Sequence, residues 1–319
     1  MGEEGLSINP SSPILGTGCV AQVYSCTYHG TPCAVKVLHP SVSSSVHLDL
    51  DLLTAIAKTV ERVGTWAGFE WWALPDAVNE FSVAMKKQMD LRNEARNLDV
   101  FNRDFHGCDY VRFPKVLKAG KRVLIETLEE GESIKKSFKK DVEERRRLAV
   151  PLITVFLRMV FVHNLIHCDL HPGNILVSKD GTLTILDAGI AASLGEEDRS
   201  NLRDLFGAVV MNRGREAGLM IVDRARVEKC KDREAFAKEI EGIVNRFHDL
   251  RKSGLTLGGV KIGALLGEVL SACRRHGVML EPKMANVVLS TIVLEGVGRT
   301  MDPDLNLFEA AMPFLTMRK

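Results

Sequence analysis

Net charge is nearly absent from this sequence of 319 residues. Its 42 lysines and arginines are balanced by 41 aspartates and glutamates, which gives +1 at pH 7. Proteins that bind nucleic acid present strongly basic surfaces, so this balance argues against a nucleic-acid partner. The seven cysteines are scattered and include no C-x-x-C pair. Their arrangement argues against a disulfide framework and favours a reducing compartment with buried thiols.

Long apolar runs are missing as well. No segment reaches the roughly 18 uninterrupted apolar residues that indicate a membrane-spanning helix. The nearest candidate, residues 148–162, is interrupted by Pro151 and Arg158. The first four residues, Met1 to Glu4, are acidic and match neither a signal peptide nor a transit peptide. A hydrophobic content of 45% suits a globular chain of one large or two small domains.

The most informative residues lie between positions 167 and 189. A loop of the form H-x-D-L-x-x-x-N contains Asp169 and Asn174 and leads into a strand over residues 174–177. The Asp-Gly pair that follows predicts a tight hairpin, whose return strand over 182–186 ends at Asp187. The hairpin should bring Asn174 and Asp187 to the same end, where an amide oxygen and a carboxylate can bind Mg²⁺. Asp169 is placed to orient the nucleophile in phosphoryl transfer; the alternative is a surface hairpin without function.

A second motif, G-x-G-x-x-A-x-V over residues 16–23, lies between two apolar strands. Glycines let a backbone approach phosphate closely and offer it N–H groups. The candidate nucleotide-binding residues here are Leu15, Gly16, Thr17, Gly18 and Val23. The next strand, over residues 33–37, is similar to the V-A-I-K strand of kinases, whose lysine pairs with phosphates. Alternation puts Ala34 and Lys36 on one face; a plain glycine turn followed by a solvated lysine is the alternative.

A long helix is predicted over residues 74–104, after an inserted helical region over 40–72. Glu94 shares one face of the long helix with Leu91, Ala95 and Leu98, so it should point inward. A buried carboxylate needs a partner, and Lys36 is the obvious one. The spacing therefore predicts an ion pair between Lys36 and Glu94.

Two further strands are predicted over residues 111–117 and 122–126. At the end of the second, Glu126 and Leu128 are expected to offer backbone groups to adenine. A basic run over 135–147 predicts a solvated helix face or, alternatively, contact with anionic lipid headgroups. Beyond Gly189 we expect no further strand, but helices near 196–211, 233–251, 260–276 and 282–295. Ser193 with Glu196 predicts a capping box for the first of these helices.

Over about residues 13–306 the sequence resembles the UbiB-like, aarF-domain-containing atypical kinases. The resemblance rests on residues 20–24, VAQVY, residues 90–97, DLRNEARN, and the H-P-G-N of 171–174. The inserted helical region also fits this family, and Asp187-Ala188-Gly189 is similar to the second mammalian paralogue type. The resemblance implies an α+β, protein-kinase-like two-lobe fold. Residues 1–12 would be a tail, 13–131 an antiparallel-sheet N-lobe with inserted helices, and 132–319 a mainly helical C-lobe.

The resemblance also implies an activity and a location. ATP or ADP would bind with Mg²⁺, with Lys36, Glu94 and Asp169 as catalytic residues, and phosphoryl transfer or ATP hydrolysis would follow. The protein would be associated with a membrane in a mitochondrion or plastid, and it would be linked to coenzyme Q or prenyl-lipid metabolism. Lipid or a membrane surface is then an expected partner, and no protein partner is indicated.

Two alternatives remain open. The first is a pseudokinase scaffold that binds partners or lipid. Such a scaffold need not keep all the polar residues of a kinase site, whereas this sequence has all five, namely Lys36, Glu94, Asp169, Asn174 and Asp187. A conventional Ser/Thr kinase is disfavoured because Cys168 and His171 stand where such kinases carry arginine and lysine, and no Ala-Pro-Glu follows Asp187.

The sequence departs from the family in three places. First, it contains no Gly-Gln pair and therefore lacks the helix that carries the family's K-x-G-Q motif. Second, its nucleotide loop has glycines at 16 and 18, where the family has an alanine-rich loop. Third, the family's E-x-D motif is present as Gln88-Met89-Asp90, so one of its two carboxylates is missing. These departures leave protein kinase, small-molecule kinase and ATPase open. The missing helix predicts an open nucleotide loop and leaves two alternatives, an N-terminally incomplete chain or a complete gene product whose surface there is polar or covered by residues 2–13. It also predicts an exposed apolar patch, with contributions from Leu91, Leu98 and residues 66–72.

Overall fold

The computed structural model describes residues 6–7, 13–40, 42–66, 74–252 and 262–316. The chain forms two compact units. The first comprises residues 1–108, 112–130 and 186–190, and the second comprises residues 109–111, 131–185 and 191–319. Residues 186–190, which carry Asp187, therefore pack with the first unit, although sequence order assigned them to the C-lobe.

An antiparallel sheet lies at the centre of the first unit. The strands up to residue 130 are β1 (Leu6–Ser7), β2 (Ile14–Thr17), β3 (Ala21–Tyr28), β4 (Thr31–Leu38), β5 (Val111–Arg112), β6 (Val116–Ala119) and β7 (Val123–Thr127). Their order in the sheet is β1-β3-β4-β7-β6, with β2 paired to β3. The strand predicted over 111–117 is thus two short strands, β5 and β6, and β5 belongs to another sheet.

The two faces of this sheet differ in chemistry. One face is apolar, with Cys26, Cys33, Val35 and Ile125 buried together. Because side chains alternate along a strand, the neighbouring residues of β4, Ala34 and Lys36, lie on the other face. Directly opposite them on β7 are Glu126 and Leu124, respectively. The predicted shared face of Ala34 and Lys36 is confirmed, and it includes a second ionisable residue, Glu126.

Three helices complete the first unit: α1 (Val42–Trp66), α2 (Leu74–Gln88) and α3 (Leu91–Asp104). The inserted helix is present as α1, while residues 67–73 lie outside the described residues. The single helix predicted over 74–104 is wrong, because the chain leaves the helical conformation at Asp90. There the backbone is extended (φ −129°, ψ 96°) and the carboxylate accepts the Arg92 N–H at 3.1 Å. Asp90 therefore caps α3 as an N-terminal residue.

Helix α3 buries one stripe, formed by Leu91, Glu94, Ala95, Leu98 and Phe101. This spacing is that of an amphipathic helix whose apolar side faces a core. The prediction that Glu94 points inward is confirmed. The prediction that Leu91 and Leu98 contribute to an exposed patch is wrong, because both belong to the buried stripe.

The second unit begins with a small sheet and the helix that leads into the H-x-D loop. Its elements up to residue 192 are β8 (Glu132–Ser133), α4 (Ile134–Ser137), α5 (Val142–Arg158), a π-helical turn (Met159–His163), β9 (Ile166–His167), β10 (Ile175–Val177), β11 (Leu183–Ile185) and β12 (Ala191–Ala192). The predicted hairpin is confirmed as β10–β11, with Ile175 opposite Ile185. The chain therefore enters β10 and leaves β11 at the same end of the hairpin.

The rest of the second unit is mainly helical. Its elements are α6 (Glu196–Val210), α7 (Gly214–Asp223), β13 (Val227–Glu228), α8 (Arg233–Lys252), α9 (Ile262–His276), β14 (Val278–Met279), α10 (Pro282–Met301) and α11 (Leu307–Thr316). The four predicted helices are present, and α7 and α11 are additional. The expectation of no strand after Gly189 is wrong for β12, β13 and β14, which are too short to show a period. The capping box is also wrong, since Gly195 precedes α6 without a side-chain cap.

Two further expectations concern cysteines and membranes. None of the seven cysteines, all of which lie in the described ranges, forms a disulfide; Cys26, Cys33 and Cys273 are buried and Cys19 is exposed. Among the described helices, none combines the length and the apolar character needed to cross a bilayer.

Candidate active site

In the first unit, Lys36 of β4 lies between two carboxylates. Its Nζ is 2.8 Å from Glu94 Oε1 on α3 and 2.9 Å from Asp187 Oδ1. The side chains of Lys36 and Glu94 are only 12% and 4% exposed, whereas that of Asp187 is 45% exposed. The predicted ion pair between Lys36 and Glu94 is confirmed. The contact between Lys36 and Asp187 is additional and was not predicted.

Helix α3 also holds the segment that carries Asp187. Asn97, one turn after Glu94, donates from Nδ2 to the carbonyl oxygen of Ala188 at 2.8 Å. The backbone N–H of Gly189 donates to Asp187 Oδ1 at 3.2 Å. A Cβ at Gly189 would lie 3.1 Å from that same oxygen, so glycine keeps the space beside the carboxylate open. Sequence reasoning missed Asn97, although its spacing of three from Glu94 could have revealed it.

Asp187 adopts an unusual backbone conformation, with φ at +49°. Aspartate tolerates this left-handed region better than most non-glycine residues do. Such conformations persist where surrounding contacts hold them, and they are frequent at functional sites. The contacts of Lys36, Asn97 and Gly189 provide that support here.

The electrostatics of this cluster follow from burial. Burial alone would lower the pKa of Lys36, but the negative charges of Glu94 and Asp187 outweigh it and raise that pKa above its usual value. Burial raises the pKa of Glu94 to about 7, against the opposing effect of the Lys36 ammonium. Lys36 is therefore charged at neutral pH and available to an anionic ligand.

Glu126 lies on the same face of the sheet, and its side chain is buried. The residue is 8% exposed, and its enclosed Oε2 has no hydrogen-bond partner among the described residues. Burial, followed by the charge of Glu94, raises the pKa of Glu126 to about 8. Its backbone lies inside the sheet, between Ala34 of β4 and Val116 of β6. The backbone roles expected for Glu126 and for Leu128, which follows the end of β7, stay predictions.

The glycine motif forms the hairpin β2–β3. Gly16 lies opposite Val23, with a bulge between Ile14 and Gly16, and the Gly18 N–H donates to the Ala21 carbonyl at 2.9 Å. A Cβ at Gly16 would meet no described atom within 4 Å, and Gly16 does not have a positive φ. Neither packing nor backbone conformation therefore requires this glycine, which favours a role in close approach to a ligand. The tip of the hairpin, including Leu15 and Thr17, is exposed.

In the second unit, hydrogen bonds within the H-x-D loop fix Asp169 and Asn174. The Asp169 N–H donates to Nδ1 of the fully buried His167 at 3.2 Å. Asn174 Nδ2 donates to the Asp169 carbonyl at 3.0 Å, and the Asn174 N–H donates to the His171 carbonyl at 2.9 Å. The Asp169 carboxylate is left partly exposed. Since the amide nitrogen of Asn174 is used within the loop, its oxygen is the atom that can bind a cation.

His171 has a defined tautomer and faces Asp169. Its Nδ1 accepts the Gly173 N–H at 2.9 Å, so the ring proton is on Nε2. Nε2 is 3.7 Å from Asp169 Oδ2, within ion-pair range but longer than a hydrogen bond. The sequence identified His171 only as a substitute for a lysine, and its contact with Asp169 was not predicted.

The predicted metal ligands fit Mg²⁺ by their chemistry. Asp187 offers a carboxylate from the first unit, and Asn174 offers an amide oxygen from the second. This donor set suits Mg²⁺, which proteins usually bind through one or two side-chain oxygens together with substrate phosphates. That Asn174 and Asp187 bind one metal together stays a prediction.

Comparison with known proteins gives two family matches and several relatives. Residues 11–218 match the ABC1 atypical kinase-like domain, and residues 252–306 match the UbiB helical domain. The ABC1 family protein YPL109C, mitochondrial, of Saccharomyces cerevisiae is 33% identical over 338 residues, covering 89% of this chain and 50% of that protein. The ABC1 family protein C21C3.03, mitochondrial, of Schizosaccharomyces pombe is 32% identical, covering 88% and 47%. The probable serine/threonine-protein kinase abkC of Dictyostelium discoideum is 30% identical, covering 94% and 53%.

The chain spans about half the length of these relatives. Among solved structures, the complex of Rv3197 with erythromycin from Mycobacterium tuberculosis superposes with a TM-score of 0.61 at 16% identity. The superposition covers 93% of this chain and 78% of the other. At that identity the likeness concerns the fold alone. With the domain match, it confirms the predicted kinase-like α+β fold, with an antiparallel-sheet N-terminal region and a helical C-terminal part.

Proposed function

Because the chain belongs to the ABC1 atypical kinase family, we propose that it binds ATP or ADP with Mg²⁺ and transfers or hydrolyses the terminal phosphoryl group. The observation that carries this proposal is the Lys36 ammonium, buried between Glu94 and Asp187 at 2.8 and 2.9 Å. A buried lysine held by one buried carboxylate and one half-exposed carboxylate suits a nucleotide-phosphate site.

Each polar residue has a proposed role in this reaction. Lys36, oriented by Glu94, binds the α- and β-phosphates of the nucleotide. Asp187 and Asn174 are the metal ligands, and bound Mg²⁺ supplies charge neutralisation at the phosphate oxygens. Asp169 orients the attacking hydroxyl or water. The hairpin residues Leu15 to Gly18, with Val23, Ala34 and Leu128, are proposed to contact the rest of the nucleotide.

Lys36 is shared between its two carboxylates, and this sharing suggests how the site changes on binding. Glu94 is buried and has no alternative partner in water, so it keeps its contact with the ammonium. Asp187 is half-exposed and can exchange Lys36 for a metal ion. We therefore propose that bound phosphate would take the place of Asp187 at Lys36, which would leave the Asp187 carboxylate available to a metal ion.

We also propose a mitochondrial location, because two of the relatives are named as mitochondrial proteins. A link to coenzyme Q or other mitochondrial lipid metabolism rests on the family resemblance. Contact with lipid or a membrane surface would fall to the exposed lysines of 135–140. Arg145 and Arg146 of the basic run have other partners, because Arg146 pairs with Asp302 at 3.1 Å and Arg145 donates to the Thr300 carbonyl at 2.6 Å.

Replacing Asp187 by asparagine tests the metal assignment. Mg²⁺ should raise the affinity of the unaltered protein for ATP, and we expect Asp187→Asn to lose at least about tenfold of that gain, since one metal carboxylate is removed. ATP affinity is measured by calorimetry with Mg²⁺ and with a chelator. Asp51→Asn, on an exposed position of α1, is the matched control and should behave as the unaltered protein. Equal dependence on Mg²⁺ in all three proteins would contradict the assignment.

Turnover separates the proposed enzyme from a scaffold. Asp169→Asn should keep nucleotide binding and lower the rate of phosphoryl release roughly 10²-fold or more, as for removal of a group that handles the proton of the nucleophile. The product is assigned to water, protein or a small molecule, with and without lipid vesicles. Nucleotide binding with no turnover above that of Asp169→Asn would instead favour the pseudokinase scaffold.

His171 is expected to act as a positioning residue for Asp169. His171→Ala removes the N–H that faces the Asp169 carboxylate, so we expect kcat to fall about tenfold with the KM for ATP within about twofold. His171→Gln, which can still present an N–H, should recover part of the loss. A parallel change in KM, or no difference between the two variants, would contradict a positioning role.

A further inference from the structure

The side chain of Glu126 has no role in the function proposed above. It lies on the face of the sheet that carries Lys36, directly opposite Ala34 in the pairing of β4 with β7. Its carboxyl is buried, and within the part of the chain that the structure describes the enclosed Oε2 has no hydrogen-bond partner. A buried polar group left without a partner is costly, and an enclosed orphan atom in a native structure calls for an explanation.

The surroundings of Glu126 determine which form of its carboxyl is present. The charged groups that act on it are Glu94 from α3, Lys36 from β4, Asp187 from the 186–190 segment and Glu129 from its own chain segment. Three of these four are carboxylates, and Lys36 already serves two of them. Burial and the charge of Glu94 raise the pKa of Glu126 to about 8, so the group is a neutral acid at pH 7. A neutral carboxyl presents one donor and one acceptor side by side.

Register places this donor and acceptor beside a position already assigned to nucleotide. Ala34 and Glu126 form one rung of the sheet, and Lys36 with Leu124 forms the next rung on the same face. Cross-strand neighbours on one face lie about 5 Å apart, and diagonal neighbours about 7–8 Å. A nucleotide whose phosphates reach Lys36 therefore has its base within reach of the rung that carries Glu126.

We propose that the Glu126 carboxyl recognises the nucleobase, pairing with the amino group and adjacent ring nitrogen of adenine. The inference rests on the proposed nucleotide binding. The 6-amino group of adenine is a donor and its neighbouring ring nitrogen is an acceptor, which complements the acceptor and donor of a neutral acid. The pairing satisfies the enclosed carboxyl without adding a charge to a cluster that already holds two carboxylates.

The test is a thermodynamic cycle in which the contact between Glu126 and the 6-amino group is removed from the protein, from the nucleotide, or from both. The probes are ATP and purine riboside 5′-triphosphate, which lacks the 6-amino group, and the variants are Glu126→Leu and Glu126→Gln. The unaltered protein should bind ATP roughly tenfold more tightly than the analogue, and Glu126→Leu should bind both about equally. Glu126→Gln, which keeps a donor and an acceptor, should keep most of the preference. Glu130→Gln makes the same chemical change at an exposed position four residues along and should keep all of it.

The outcomes separate this inference from the function on which it rests. If no protein of the set binds either nucleotide with Mg²⁺, the proposed nucleotide binding fails. If all bind ATP but the ratio of ATP to analogue affinity is the same in Glu126→Leu as in the unaltered protein, only the role of Glu126 is overturned. A purely structural Glu126 would change the stability of the variants but not this ratio, so the ratio decides even where Glu126→Leu folds less stably.

Discussion

Replacing Lys36 by methionine is expected to lower the free energy of unfolding by about 3–5 kcal/mol, the usual cost of removing one partner of a buried ion pair. The ammonium separates Glu94 from Asp187, and Glu94 is almost completely buried. Without the Lys36 ammonium, the buried carboxylate of Glu94 loses its opposite charge and is left close to the carboxylate of Asp187. Burial already raises the pKa of Glu94 to about 7. The loss should therefore be smaller at pH 5.5, where Glu94 takes up a proton, than at pH 8.

Denaturant unfolding of a four-protein cycle measures this effect. Lys36→Met and Glu94→Leu should each destabilise the chain, while the double variant should lose clearly less than the sum, because no buried charge of the pair remains. Lys58→Met, on an exposed position of α1, is the control and should change stability by no more than about 0.5 kcal/mol. Additive losses in the cycle would show that Lys36 and Glu94 do not depend on each other for stability.

The pair of Lys36 and Glu94 could be predicted because each residue breaks the pattern of its own element. A lysine stands among apolar residues in β4, and a glutamate stands within the apolar stripe of α3. Strand alternation and helical spacing assign both to buried positions, and two buried opposite charges must be paired. The β10–β11 hairpin was predictable for a similar reason, because an Asp-Gly turn fixes its position in the chain.

What could not be predicted depends on tertiary packing. The contacts of Asp187 with Lys36 and of Asn97 with Ala188 arise because residues 186–190 pack with the first unit, which no local pattern encodes. Helix α7 was missed because glycines disfavour helices in isolation. Here Gly214 and Gly218 allow α7 to approach α8, where an added Cβ would lie 2.7 Å from a backbone atom. The break before α3 had a usable signal in Asp90, which the continuous apolar spacing outweighed.

The side chain of Glu126 illustrates the same limit. Its position near the end of a strand predicted a backbone role, whereas the sheet places its side chain beside Ala34 and among the charges of Lys36, Glu94 and Asp187. Burial of a carboxyl at that place follows from the pairing of β4 with β7, which the sequence of β7 alone does not encode.

The stability of the chain is expected to decline as pH rises from about 4.5 to about 8, and Glu126→Gln should remove much of that decline. Burial raises the pKa of Glu126 from its usual value of 4.5 to about 8. Between these values the folded chain holds a proton that the unfolded chain has released. The stabilisation from this bound proton is therefore complete below pH 4.5, the pKa of the unfolded chain, and it is lost as pH rises through about 8, the pKa of the folded chain. A shift of this size corresponds to on the order of 4–5 kcal/mol.

Glutamine has the shape of the neutral acid and cannot ionise. The difference in free energy of unfolding between Glu126→Gln and the unaltered protein should therefore grow as pH rises instead of staying constant. At pH 5 we expect Glu126→Gln to match the unaltered protein to within about 1 kcal/mol, and at pH 8.5 to exceed it by about 3–4 kcal/mol. Guanidinium unfolding at both pH values measures the difference, with Glu130→Gln, at an exposed position, as the control that should follow the unaltered protein. Because Glu126 and Glu94 influence each other's charge, the difference between the unaltered protein and Glu126→Gln includes the response of Glu94 to the loss of the Glu126 charge. Parallel stability curves for the unaltered protein and Glu126→Gln would mean that Glu126 does not change its charge in the folded chain over this range.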